Sequence, residues 1–157
     1  MKQDRFLIII VGVIVLLAVL AIVLFFVRQE PQEYGPSDTP EGVLRNYVLA
    51  LQKKDYETAY GYLQDSEDKP TLTQFKQSFL THNIDTANTS VQIRTIDITG
   101  LDANIELILL HSSNDPFNRT WDENTAALLT RQNGEWRIVS MPYPYWGWDW
   151  YAQKTVP

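Results

Sequence analysis

Nucleophilic catalysis needs a serine, threonine or cysteine beside a positioned base. The chain has no cysteine and two histidines, His82 and His111. Neither histidine lies in a local motif with a nucleophile. His82 falls at the end of a helical pattern, where an imidazolium would complement the C-terminal helix dipole. His111 ends an alternating strand and shares a face with Ile105, Leu107 and Leu109. It is expected either as a hydrogen-bonded histidine at the sheet rim or as a general base at a pocket mouth. Asp97 is the second catalytic candidate. A carboxylate in an apolar cavity loses solvation, keeps its proton to higher pH and can abstract a proton from carbon. That role requires Asp97 to share the face of Val91 and Ile93, which holds only if the strand runs without a bulge.

Metal binding needs His, Cys or carboxylates clustered at ligand spacing. The densest acidic group, Asp65-Ser66-Glu67-Asp68, reads as a solvated loop between helices. The 7 glycines are scattered and form no phosphate-cradling loop. No metal and no cofactor is expected.

A second kind of chemistry sits near the C-terminus, in Tyr143-Pro144-Tyr145-Trp146-Gly147-Trp148-Asp149-Trp150-Tyr151. Aromatic side chains this dense either cover a sheet or plug a cavity, lie at a membrane interface, or form a platform for a sugar or a protein. Exposed, they would make a patch that demands a partner. Tyr143, Tyr145, Trp146, Trp148, Trp150 and Tyr151 are therefore the candidate binding residues.

The elements that must position these groups begin with an anchor. Phe6 to Val27 is an unbroken apolar run, with Gly12 its one non-hydrophobic member. As a helix it spans about 33 Å, the thickness of a bilayer's hydrocarbon core. It is longer than a signal-peptide core and ends without a small-x-small cleavage pattern, so an uncleaved single-pass anchor is expected. Lys2 and Arg5 precede the run and Arg28 alone follows it closely, which places the N-terminus in the cytoplasm and the rest outside. The chain carries a net charge of −6, which argues against nucleic acid as a partner. An exported domain without cysteine must be stabilised by packing alone; this is common in bacterial envelope proteins.

Five segments are expected: a cytoplasmic stub at 1–5, a transmembrane helix at 6–27, a linker at 28–38, a folded domain at 39–141 and the aromatic tail at 142–157. Within the domain, Thr39 caps a helix whose first position is Pro40, and Val43, Leu44, Tyr47, Val48 and Leu51 follow the helical spacing. Asp55 caps a second helix with Tyr56, Ala59, Tyr60 and Leu63 on one face. Thr71-Leu72-Thr73-Gln74 is a capping box for a third. After His82 the apolar period shortens to two. Ser90–Thr99 is a strand whose apolar phase slips near Arg94-Thr95, and residues 103–111 form a central strand. Residues 114–118 are a loop. Strands at 119–132 and 135–141 meet at Asn133-Gly134, the strongest two-residue hairpin signal. That turn opposes Arg131 with Trp136, Thr130 with Arg137, Leu129 with Ile138 and Leu128 with Val139. Helices followed by strands give an α+β fold, three helices packed on a curved antiparallel sheet of about four strands.

The stretch from Thr39-Pro40-Glu41 through Asp55-Tyr56 and Ala59-Tyr60, with Gly134-Glu135-Trp136-Arg137-Ile138, resembles the nuclear transport factor 2-like superfamily of cystatin-like fold. The resemblance covers about residues 39–141. That superfamily hosts isomerases, dehydratases, scaffolds and non-catalytic binding domains, so it implies a fold and leaves the activity open. The resemblance makes the proton-abstraction role of Asp97 specific, since steroid isomerases of the superfamily use an inward carboxylate. The expected protein is a membrane-anchored, extracytoplasmic binding or scaffolding domain of the bacterial cell envelope. It contacts membrane lipid through residues 6–27 and an envelope protein or glycan through the tail. The alternative is a small pocket enzyme of the isomerase or dehydratase kind.

Overall fold

The computed structural model describes residues 3–28, 32–112 and 120–151. The expected loop at 114–118 lies outside the described residues. The chain divides into two units, one ending at Glu33 and one starting at Tyr34.

The first unit is one helix, α1 (Gln3–Arg28). Its segment Phe6–Phe25 has a mean hydropathy of 3.7, and none of it is buried within the protein. Among the described residues it is the one helix long and apolar enough to cross a membrane.

The second unit opens with α2 (Pro40–Gln52), α3 (Tyr56–Gly61) and α4 (Leu72–Leu80). Each starts on the expected cap. Thr39 Oγ1 accepts from the Gly42 N–H, Asp55 from the Thr58 N–H, and Thr71 and Gln74 complete a reciprocal capping box. These groups satisfy donors that a helix start leaves orphaned. The strands β1 (Thr89–Thr99), β2 (Asp102–His111), β3 (Trp121–Gln132) and β4 (Glu135–Ser140) follow as an antiparallel meander in the order β1-β2-β3-β4. Asn133 and Gly134 both have positive φ, as a type I′ turn requires.

The hairpin register matches expectation for Arg131 with Trp136, Thr130 with Arg137 and Leu129 with Ile138. One expected pair is corrected. Leu128 opposes Ser140 rather than Val139, because the ladder slips between Leu128 and Leu129. The extra residue lets β4 bend before Met141, which is buried. Leu63 is also displaced from its expected helix. α3 stops at Gly61, and Leu63 bridges Ile138 in parallel along the far edge of β4.

The core lies between the helices and one face of the sheet. Val43, Leu44, Tyr47, Ala50 and Leu51 of α2 are buried with Ala103, Ile105, Leu107 and Leu109 of β2, and with Ala127, Leu129, Trp136 and Ile138.

Residues 34–37, expected within the linker, are held against α2. Asn46 is 2% exposed. Its side chain accepts from the Gly35 N–H at 2.8 Å and donates to the Gly35 carbonyl at 2.8 Å and to Ser37 Oγ at 3.0 Å. The approach is close enough to require glycine on α2: a Cβ at Gly42 would fall 2.0 Å from the Pro36 carbonyl oxygen. Replacing Asn46 by Ala removes the side chain that pairs both Gly35 backbone groups and Ser37 Oγ. The expected cost is about 2 kcal/mol, read as a lower denaturant midpoint of the full-length chain, with faster proteolysis near residue 35. An unchanged midpoint would show that the strap adds nothing to the fold.

Candidate functional site

The C-terminal segment is where most of the candidate residues converge, and it does not lie apart from the domain. Tyr145 is fully buried, Trp146 is 9% exposed and Trp150 is 6% exposed. The Tyr47 hydroxyl, from α2, donates to the Tyr145 carbonyl at 2.7 Å, and the Tyr145 hydroxyl donates to the Thr89 carbonyl of β1 at 2.6 Å. Trp150 packs on Phe75 with ring centroids 4.8 Å apart, and on Phe79 at 6.0 Å. Trp146 meets Trp150 edge-on at 5.1 Å and stacks with Tyr151 at 5.7 Å. The Tyr151 hydroxyl donates to the Gln64 carbonyl. A tight turn makes this possible: the Trp150 N–H donates to the Gly147 carbonyl, and a Cβ at Gly147 would sit 2.4 Å from Trp150 Nε1.

The six candidate binding residues therefore divide. Tyr145, Trp146 and Trp150 are core, and they cannot offer their rings to a partner. Tyr151 is half-buried. Tyr143 is 64% exposed and Trp148 is 94% exposed. An aromatic run carries no period that separates the two sets, so the sequence left covering of the sheet and exposure to a partner both open for all six.

Burial raises the pKa of Tyr47 on α2 and of the tail phenols it packs with. Tyr47 is pushed well above its ordinary value by desolvation, and Tyr145 up to about 12 by the same cause. Tyr151 is raised by burial first, then by Tyr60 and Asp65 nearby.

Asp97 is exposed. The ladder between β1 and β2 slips between Ile93 and Thr95, as the apolar phase had suggested, and Asp97 faces Asn104 on the outer side of the sheet. The bulge excludes it from the interior that proton abstraction would need. His111 does lie on the face of Ile105, Leu107 and Leu109, at the end of β2. Its Nδ1 shares a 3.2 Å hydrogen bond with Thr89 Oγ1. Its ring stacks on Trp121 of β3, with centroids 3.7 Å apart and planes 13° from parallel. Nε2 is buried and has no hydrogen-bond partner; it lies 3.5 Å from Glu123 Oε2, outside bonding geometry. A general base must present a nitrogen to substrate, and here one nitrogen is engaged and the other covered. His82 lies just past the C-cap of α4, exposed and at positive φ, its N–H donating to the Phe79 carbonyl.

Both histidines border an open groove of about 860 Å³ at this end of the sheet, with Tyr56, Phe79 and Ile84 among its walls. Among the described residues, no three His, Cys, Asp or Glu side chains cluster to hold a metal ion.

The neighbours in known structures agree on architecture. No protein-family model and no curated protein matches the chain. A SEC-C motif-containing protein of Rhodopseudomonas palustris superposes with a TM-score of 0.50 at 11% identity, covering 68% of this chain and 79% of its own. The domain has an α+β fold, helices followed by a four-stranded antiparallel sheet. A cystatin-like protein of unknown function from Nostoc punctiforme matches at TM-score 0.45 and 16% identity, over 62% of this chain and 80% of its own. An NTF2-like protein of unknown function from Pseudomonas putida matches at 0.45 and 11%, over 63% and 78%. At such identities the likeness is one of fold alone.

The buried phenols give a signed prediction. Each has a higher pKa folded than unfolded, so its contribution is complete below the ordinary tyrosine value near 10. For Tyr145 it is lost as pH rises from about 10 towards 12. Urea midpoints should stay level between about pH 8 and 9.5 and fall steeply above about pH 10, with phenolate absorbance rising in step with unfolding. Stability that stays level through about pH 11 would place these hydroxyls in water.

Proposed function

We propose that this is a single-pass membrane protein whose extracytoplasmic domain is a non-catalytic binding or scaffolding module of the bacterial envelope. The observation that carries the reading is the occupied interior. Much of the space between helices and sheet, where an enzyme of this superfamily would hold substrate, is filled by Tyr145, Trp146 and Trp150 of the chain's own tail, and the groove left open beside His111 meets a ring with one nitrogen bonded to Thr89 and the other buried. The covered nitrogen of His111 and the outward Asp97 point the same way. The apolar segment Phe6–Phe25 supports the membrane setting. The contact surface of the tail reduces to Tyr143 and Trp148, which are exposed aromatic groups of the kind that anchor protein and glycan partners.

Two substitutions separate recognition from packing. Tyr143→Ala with Trp148→Ala should leave the denaturant midpoint within experimental error and abolish capture of the partner by in-cell cross-linking. Trp150→Ala should cost about 3–5 kcal/mol of stability, since it empties a packed aromatic site. Capture that survives the double substitution would move the contact surface elsewhere. Because the chain has no cysteine, a Lys54→Cys variant tests topology directly: a membrane-impermeant maleimide should label it in intact cells. Labelling only after lysis would reverse the orientation.

A further inference from the structure

The two edges of the sheet are treated differently. The β4 edge is closed by the segment after α3: Ile138 donates to the Tyr62 carbonyl at 2.8 Å and Gln64 donates to the Ile138 carbonyl at 2.9 Å. The β1 edge has no strand beside it among the described residues. β1 spans 11 residues without proline or lysine, two of the deterrents to edge pairing, and carries one bulge and the two charges Arg94 and Asp97. It also carries unmatched groups on both faces. Ile98 lies opposite buried Ala103 on the inner face yet is 56% exposed. Arg94 and Asp97 are exposed, and neither forms an ion pair among the described residues.

We infer that β1 pairs antiparallel with β1 of a second copy of this chain, about a two-fold axis through Ile96. The bulge makes this register consistent. Ile93 and Ile98 differ by an odd number of positions and would face opposite ways in a regular strand. The slip at Ile93/Thr95 puts both on the inner face, opposite Leu107 and Ala103. With Ile96 on the axis, Ile96 meets the partner's Ile96. Ile93 covers the partner's Ile98, and Arg94 with Thr95 opposes the partner's Asp97. Each contact off the axis occurs twice, as an isologous interface demands. A register centred on Asp97 would set two carboxylates against each other, which is unfavourable. Charge and apolar surface thus favour the alignment on Ile96 over the one on Asp97.

The test uses the full-length chain in dodecyl maltoside micelles. An Ile96→Cys variant should form a disulfide-linked dimer on mild oxidation. Thr99→Cys should not, because the two copies of position 99 lie about 20 Å apart along the paired strands. Arg94→Asp should slow the Ile96→Cys cross-link about tenfold, since it sets one aspartate against another on each side of the axis, and adding Asp97→Arg should restore it. Light scattering reads the same equilibrium without a cysteine: dimer for the unaltered chain, monomer for Arg94→Asp, dimer again for the charge-swapped pair. Equal cross-linking at 96 and 99, a monomeric unaltered chain, or failure of Asp97→Arg to rescue would each overturn the pairing.

Discussion

The domain is held together where the Tyr145 residue crosses between α2 and β1. Its carbonyl accepts from Tyr47 on the helix, and its hydroxyl donates to Thr89 on the strand. Both groups are buried polar atoms that would be costly without partners. One residue of the tail therefore satisfies a helix side chain and a strand carbonyl at once. The Trp150 ring then extends the same packing to α4 through Phe75 and Phe79. A domain of this size with no disulfide has to obtain its stability from packed area. The tail supplies aromatic area that helices and sheet alone do not.

That dependence explains why some of the structure is legible in the sequence and some is not. Helix starts are local: Thr39, Asp55 and Thr71 each meet a donor three residues away, so their spacing announces them. The Asn133-Gly134 turn is local too, and it fixes the neighbouring pairs of β3 and β4. The slip at Val139 is not local, because it serves the bend into Met141 and the tail. Burial of Tyr145 and Trp150 depends on partners as distant as Tyr47 and Ser78. Asn46 looks like an ordinary polar helix residue until the strap at Gly35 lies across it.

The candidate chemistry turns on a single inserted residue. The bulge at Arg94 in β1 reverses the face of everything after it, which carries Asp97 from the interior to water and Ile98 to the inner side. Bulges are costly to pairing and are kept where a strand must be re-aimed. Here the consequence is an edge with matched opposite charges on one face and an uncovered isoleucine on the other. His111 was placed on the correct face by alternation, but alternation says nothing about Trp121 stacked upon it or Thr89 bonded to it.

Trp148 gains its exposure from the same turn that buries its neighbours. The Gly147–Trp150 hydrogen bond folds the chain so tightly that the Trp150 indole lies where a Cβ on residue 147 would be. Trp146 and Trp150 are drawn inward on either side, and the residue between them at 148 has no inward direction left. A fully solvated tryptophan costs apolar hydration free energy, yet a polar residue could occupy that position without disturbing the turn. The packing thus accounts for where Trp148 points but not for its being tryptophan. The binding role proposed for the tail would account for that identity, and it puts the functional weight on the exposed ring rather than on the larger aromatic cluster beneath it.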